Sequence, residues 1–261
     1  MSKRFFLNKV AIVTGASDGI GRATALALAR QGAHVAISAR REARLEQVAS
    51  EIKVYGKEIL VAAADVTDSS QVAQLVDGVI ERWGCVDILI ANAGEYVRAP
   101  VQSLTLTDLQ HSMAINFYGG IYAILAVLPH MRQRNSGHIV VVTSMNGKKG
   151  MPLDAPYAAA KFAMTGFAEV LRQELYGSGI FVSNILPGRV DTEMIRNLKV
   201  PWISAKIKPE AVARAILIAI EKRKPEVILP PLAVWLHYVN VLSPKWGDAI
   251  TRFFHLEGWK N

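Results

Sequence analysis

With 261 residues, half of them apolar and a fifth charged, the chain can bury a full core and has the balance of a globular enzyme, not of a disordered or fibrous protein. The net charge of +8 invites a nucleic-acid reading, yet neither aromatic–basic interleaving nor a nucleic-acid module accompanies it. Eight Lys or Arg lie between Arg196 and Lys224 against Glu210 and Glu221, which reads as a solvated basic face open to acidic membranes or acidic carrier partners.

The single cysteine, Cys85, excludes an internal disulfide and is compatible with a reducing cytosol. It opens the apolar run Val86 to Ala91 and reads as buried packing. The start, Met1 to Lys9, holds too few apolar residues for a signal peptide, and no stretch reaches the roughly 20 apolar residues that span a bilayer. A cytoplasmic protein, at most peripheral to a membrane, is expected.

Val10 to Thr14 is a short apolar run ending at glycine, the pattern of a buried parallel strand. Helical spacing covers Arg22 to Gln31, with Gly32 as its stop. A second strand at His34 to Ser38 precedes an amphipathic helix at Arg41 to Val54. The third strand, Ile59 to Ala64, precedes a helix at Gln71 to Trp83. The fourth, Val86 to Ala91, ends in Asn92-Ala93-Gly94. A long helical region follows over about Thr107 to Arg134, then a fifth strand at His138 to Thr143. The next helix runs to about Tyr176, and the sixth strand, Ile180 to Leu186, stops at Pro187-Gly188. A helix at Pro209 to Lys222 and a seventh strand at Glu226 to Leu229 close the series. This alternation predicts an α/β protein, a single-domain doubly wound parallel sheet of about seven strands with helices on both faces.

Between the first strand and first helix stands Thr14-Gly15-Ala16-Ser17-Asp18-Gly19-Ile20-Gly21. Such glycines permit a tight turn and close approach of a pyrophosphate, whose charge is favoured at a helix N-terminus. The end of the second strand should meet the adenosine ribose. There the chain has Ser38-Ala39-Arg40-Arg41, with two guanidiniums and no carboxylate, which favours a 2′-phosphate and hence NADP(H) over NAD(H). Tyr157 and Lys161, four apart on a helix, place a phenol and an ammonium on one face. A neighbouring cation favours phenolate, which makes the tyrosine a better proton donor. Turn and pair together read as a redox enzyme for a carbonyl or alcohol.

In their order, the glycine turn, Asp65, Asn92-Ala93-Gly94, Asn116, Ser144, Tyr157 with Lys161, and Pro187-Gly188 resemble the classical short-chain dehydrogenase/reductase family over about residues 8 to 230. The resemblance implies a Rossmann-type fold, with Asp65 and Val66 flanking the adenine and Asn92-Ala93-Gly94 closing against the cofactor and steadying the central strand. It implies that Tyr157 donates or accepts the proton, that Lys161 bonds the nicotinamide ribose and lowers the tyrosine pKa, and that Ser144 polarises the substrate oxygen. Asn116 would hold a water in a relay through Lys161. Pro187, Gly188, Val190 and Thr192 would line the nicotinamide side. It further implies a homodimer or homotetramer built on helices near 107 to 134 and 155 to 176. Lys148 and Lys149, between Ser144 and Tyr157, are expected to face solvent.

A mobile substrate lid is implied at about 191 to 208. Its Ile195, Leu198, Val200 and Trp202 favour a hydrophobic carbonyl substrate, fatty-acyl or steroid-like. Residues 1 to 230 form the catalytic domain, and 231 to 261 an apolar extension. Within that extension Trp246, Ile250, Phe253 and Phe254 recur at helical spacing beside Lys245 and Arg252. It could cover the pocket, pack on its own domain, join subunits or rest on a membrane through 231 to 256. A 3-oxoacyl carrier-protein reductase and a silent NADP(H)-binding sensor stand as alternatives to the carbonyl reductase. No metal site is expected.

Overall fold

Seven apolar runs align into one parallel sheet in the order β3-β2-β1-β4-β5-β6-β7. The strands are β1 (Val10–Thr14), β2 (His34–Ala39), β3 (Ile59–Ala63), β4 (Ile88–Ala91), β5 (Gly137–Val142), β6 (Ile180–Pro187) and β7 (Glu226–Leu229). The computed structural model describes residues 5–259. Residues 1–4 of the basic start and 260–261 of the extension lie outside the described residues.

The helices are α1 (Gly19–Arg30), α2 (Glu42–Lys53), α3 (Ser69–Trp83), α4 (Leu106–Met113), α5 (Gly119–Arg134), α6 (Ala155–Glu174), α7 (Pro209–Lys222), α8 (Leu232–Leu242) and α9 (Pro244–Phe253). Because strand side chains alternate, β1 supplies Ala11 and Val13 to one face, and Val10 and Ile12 to the other. The first face packs on α1, α2 and α7 through Leu28, Leu45 and Ile216. The second packs on α3, α5 and α6 through Val79, Ile124 and Met164. A fully buried Leu or Ile contributes about 2 kcal/mol, so both layers are needed to hold a sheet this apolar.

The order of strands reverses at β1, which pairs with β2 on one side and β4 on the other; Ile12 sits opposite both Ala36 and Leu89. A crevice opens where strand order reverses, at the carboxyl ends of the strands. Helix starts are fixed locally. Asp68 accepts from the N–H groups of Ser70 and Gln71 at α3, and Thr105 with Asp108 forms a capping box at α4.

The helical region expected over Thr107 to Arg134 is continuous from Leu106 to Arg134, but a π-turn at Ala114–Tyr118 separates α4 from α5. Such turns often mark functional sites, and this one carries Asn116. Contrary to expectation, the 29-residue run is long and apolar enough to cross a bilayer, with a mean hydropathy of 1.4. It is a core helix here: Ala123, Ile124, Val127 and Met131 are buried in the second layer. Cys85 is partly buried beside Asp87, and burial pushes its thiol up, away from reactivity.

Candidate active site

A cavity of about 840 Å³ fills the crevice. Its lining includes Gly15, Ser17, Asp18, Gly19, Ile20, Arg40, Arg41, Asp65, Val66, Asn92, Ala93, Gly94, Asn116, Ser144, Tyr157, Lys161, Pro187, Gly188, Val190 and Thr192. Gly21 alone among the expected residues is absent from that wall. It stands behind the turn, where an added Cβ would come 2.2 Å from the Gly15 carbonyl oxygen and 2.6 Å from the Asn92 amide.

The turn is built for close approach. α1 begins at Gly19, earlier than the expected Arg22, so the first helical N–H groups belong to the glycine turn itself. Gly19 has φ +55°, and a Cβ there would fall 2.7 Å from Thr192. Asn92 clamps the two central strands, its amide donating to the Thr14 and Gly15 carbonyls at 2.9 and 3.2 Å. The N–H groups of Asn92 and Ala93 donate to the Thr14 hydroxyl. These cradles fit a dinucleotide laid across the carboxyl ends of β1 and β4.

Arg40 and Arg41 reach the cavity, but each faces a glutamate that the local sequence did not signal. Arg40 lies 3.7 Å from Glu95, while Arg41 and Arg44 lie 3.1 and 3.5 Å from Glu193. The carboxylates missing from the end of β2 thus arrive from distant loops. All these groups are well exposed, so the pairs are weak and exchangeable.

On the opposite wall, burial pushes the Tyr157 hydroxyl up to about 12, the Ser144 hydroxyl opposing and Asp154 adding to the rise. Lys161 is buried, pushed down to about 8, and donates to the Val142 carbonyl at 3.2 Å. Its Nζ lies 5.6 Å from the Tyr157 ring centroid. Desolvation dominates both groups, and the lysine is not among the influences on the phenol. Ser144 accepts from the Asn146 N–H at 3.1 Å, leaving its own proton to donate. The Asn116 side chain is fully engaged. It accepts from the Glu95 N–H and donates to the Glu95 carbonyl and the Ser112 hydroxyl, pinning the loop after Gly94.

A buried cluster behind Tyr157 went unread. Asp154 accepts from the Tyr96 hydroxyl at 2.6 Å and the Asn146 amide at 2.7 Å, with Arg98 in ion-pair contact at 3.5 Å. Burial nonetheless pushes the Asp154 carboxyl up, and burial beside Asp154 raises the Tyr96 phenol far above its usual range. The Tyr96 ring meets Tyr157 edge-on at 5.1 Å. Asp154, three residues before Tyr157 at the start of its helix, could have been found from spacing; Arg98 could not.

The lid and extension complete the cavity. Met194, Ile195, Leu198 and Ile203 line it, as do Leu232, Leu236 and Val239 of α8 and Ile250 of α9. Trp202 instead points outward, 83% exposed. Arg98 donates to the carbonyls of Glu257 and Gly258, Arg189 to that of Leu256, and Lys199 exchanges backbone bonds with Trp259. Lys148 and Lys149 do not face solvent. Lys148 pairs with Glu226, and the buried Lys149 pairs with Asp248 of α9. The reason is that β7 meets Lys148 and the extension folds back over Lys149.

The short chain dehydrogenase family model matches residues 9–201. A ketoacyl reductase, HetN, from Nostoc sp. is 32% identical over 255 residues, 94% of this chain and 89% of that protein. Glycine betaine reductase ATRR of Emericella nidulans is 36% identical over 227 residues, 84% of this chain, which spans only 18% of that relative's length. Among solved structures, an alcohol dehydrogenase from Thermococcus sibiricus complexed with 5-hydroxy-NADP superposes with a TM-score of 0.78 at 29% identity, covering 85% of this chain and 95% of that one. Fold, ordered motifs and these likenesses agree: the chain belongs to the short-chain dehydrogenase/reductase family, nicotinamide-binding oxidoreductases acting on CH–OH and C=O groups.

Proposed function

We propose that this protein is an NADP(H)-dependent carbonyl reductase that acts on a hydrophobic ketone or the corresponding secondary alcohol. The observation that carries the reading is the meeting of Ser144, Tyr157 and Lys161 with the glycine turn on one cavity wall system. The nicotinamide cofactor, when bound, supplies or takes the hydride. Tyr157, held protonated by burial, donates its proton to the carbonyl oxygen in reduction. The Ser144 proton, directed at Tyr157 in this structure, steadies the same oxygen. Lys161 keeps a cation beside the phenol as negative charge develops there. The apolar lining from lid and extension supports a hydrophobic substrate.

For NADP(H), the support is that Arg40 and Arg41 reach the cavity and are held only by exposed glutamates, which a 2′-phosphate can displace with a charge-assisted fork. Comparing kcat/KM with NADPH and NADH for Arg40→Asp tests this. The ratio should fall by roughly 30-fold, and an unchanged ratio would remove Arg40 from cofactor choice.

A 3-oxoacyl carrier-protein reductase is the second reading, supported by the basic face at 196 to 224 and the likeness to HetN. NADPH oxidation with a carrier-bound oxoacyl substrate against a free hydrophobic ketone separates the two. A homodimer through α5 and α6 is supported by exposed Leu125, Phe162 and Val170.

A further inference from the structure

We propose that the outer face of α8 and α9 is a docking surface for an anionic lipid bilayer. α8 contains no charged residue and buries none of its eleven. Leu232, Trp235, Tyr238, Val241 and Leu242 are all more than half exposed. An apolar helix of a water-facing protein normally buries one stripe completely, and so large an exposed patch marks an interaction site. Eleven residues cannot span a bilayer, which sets this helix in the interfacial plane.

α9 extends the patch and adds charge. Trp246 and Phe253, seven apart, share one stripe and are 67% and 78% exposed. Gly247 and Thr251 form the buried side, and the half-exposed Asp248, between that side and the cations, pairs with the buried Lys149. The carboxylate of α9 is thereby satisfied by the body of the protein. Lys245 and Arg252, again seven apart, remain exposed and flank the aromatic stripe. Tryptophan and tyrosine with flanking cations is the side-chain chemistry that settles at headgroup depth.

Charge selects the occupant. A second copy laid on this face would gather both pairs of Lys245 and Arg252 into one interface, in a chain already carrying +8. Anionic headgroups complement the same cations, each contributing about fivefold in partitioning. The placement also has a use. Trp235 lines the catalytic cavity while 70% exposed, so the rim of the cavity belongs to the docking face. A hydrophobic carbonyl dissolved in lipid then enters without crossing water, a consequence that rests on the proposed reductase reading.

Flotation of the full chain with phosphatidylcholine vesicles, with and without one-third phosphatidylglycerol, tests the surface itself. The protein should float with the anionic vesicles and several-fold less with neutral ones. Lys245→Glu with Arg252→Glu should weaken recovery at least 20-fold, and Val241→Ser, Leu242→Ser, Trp246→Ser and Phe253→Ser together at least tenfold. None of these six residues lines the cavity, so turnover of a water-soluble ketone should persist and reports on folding and on the reductase reading separately. The proposal is overturned if the wild type stays unbound with anionic vesicles, or if the charge-reversed protein floats equally well. It is equally overturned if sizing shows an oligomer that the serine variant dissolves while vesicles recover nothing, because the patch is then a contact between copies.

Discussion

The nucleotide wall and the substrate wall of the cavity are assembled in different ways. On the nucleotide wall, each group belongs to a short motif at the end of a strand: the glycine turn after β1, Asn92-Ala93-Gly94 after β4, Pro187-Gly188 after β6. The sheet register brings these motifs together automatically. On the substrate wall, the lid, α8, α9 and the segment to Trp259 are held by side chains far away in sequence, Arg98 to Gly258 and Lys149 to Asp248 among them. A parallel sheet thus makes a cofactor cradle as a by-product of its topology. The substrate enclosure needs individually placed ions, and can change without disturbing the cradle.

The largest expected effect lies where the two walls meet. Tyr157→Phe removes the donated proton and leaves the ring packed against Tyr96, so kcat/KM for ketone reduction should fall roughly a thousandfold with NADPH affinity retained. Steady-state rates beside fluorescence titration of NADPH check both halves. Activity within tenfold of wild type would take the phenol out of the chemistry.

Next is the anchor of the substrate wall. Arg98→Leu leaves Asp154, 2% exposed, short of its cation, and frees the carbonyls of Glu257 and Gly258. Breaking a buried pair from one side costs about 3 kcal/mol, readable in urea melts. The ketone KM should rise while the NADPH dissociation constant stays. Equal losses in both would mean that the walls are not separable.

The reciprocal change is Gly21→Ala. The new methyl collides with the Gly15 carbonyl, which is backbone and cannot swing aside. Overpacking of this kind costs about 2 kcal/mol and should weaken NADPH binding, with ketone KM little altered. Titration of both ligands against the same variant sharpens the contrast with Arg98→Leu.

The same contrast explains what was legible in the sequence. All seven strands and the Tyr157–Lys161 pair lay in local patterns: apolar runs, glycine stops, i,i+4 spacing. The exact extents of α7 and β7 were readable because Pro209 starts the one and Pro230 ends the other. The glutamates opposite Arg40 and Arg41 were not, since Glu95 and Glu193 reach β2 only through the fold. Lys149 looked like a solvent-facing loop residue because its partner stands 99 positions on. Titration behaviour was equally hidden. Proximity of Lys161 argued for a lowered tyrosine, but desolvation inside the cavity acts against charge on both groups.

The smallest effect belongs to neither wall and serves to show that fold and site respond independently. His138, at the start of β5, is buried, and its Nε2 lies 2.8 Å from the Ser183 hydroxyl. Ser183 donates its only proton to the Lys224 carbonyl at 2.6 Å, so the histidine must donate to Ser183 and carries its proton on Nε2. Burial, with Arg223 adding repulsion, holds the imidazolium pKa down at about 4. In the unfolded chain the ring titrates near 6.5, so between these values the unfolded state binds the extra proton. Stability is therefore fully present above the unfolded value and is lost as pH falls toward the folded one. From pH 7 to 5.5 the loss should be about 1 kcal/mol in urea melts. His138→Gln should remove that slope, and the pH profile of ketone reduction should be unmoved by the substitution, because the ring lies at the opposite end of β5 from Ser144. A slope that persists in the variant would assign the acid sensitivity to other groups, though not to Asp154, whose raised carboxyl takes up its proton more readily in the folded state and so opposes such a loss.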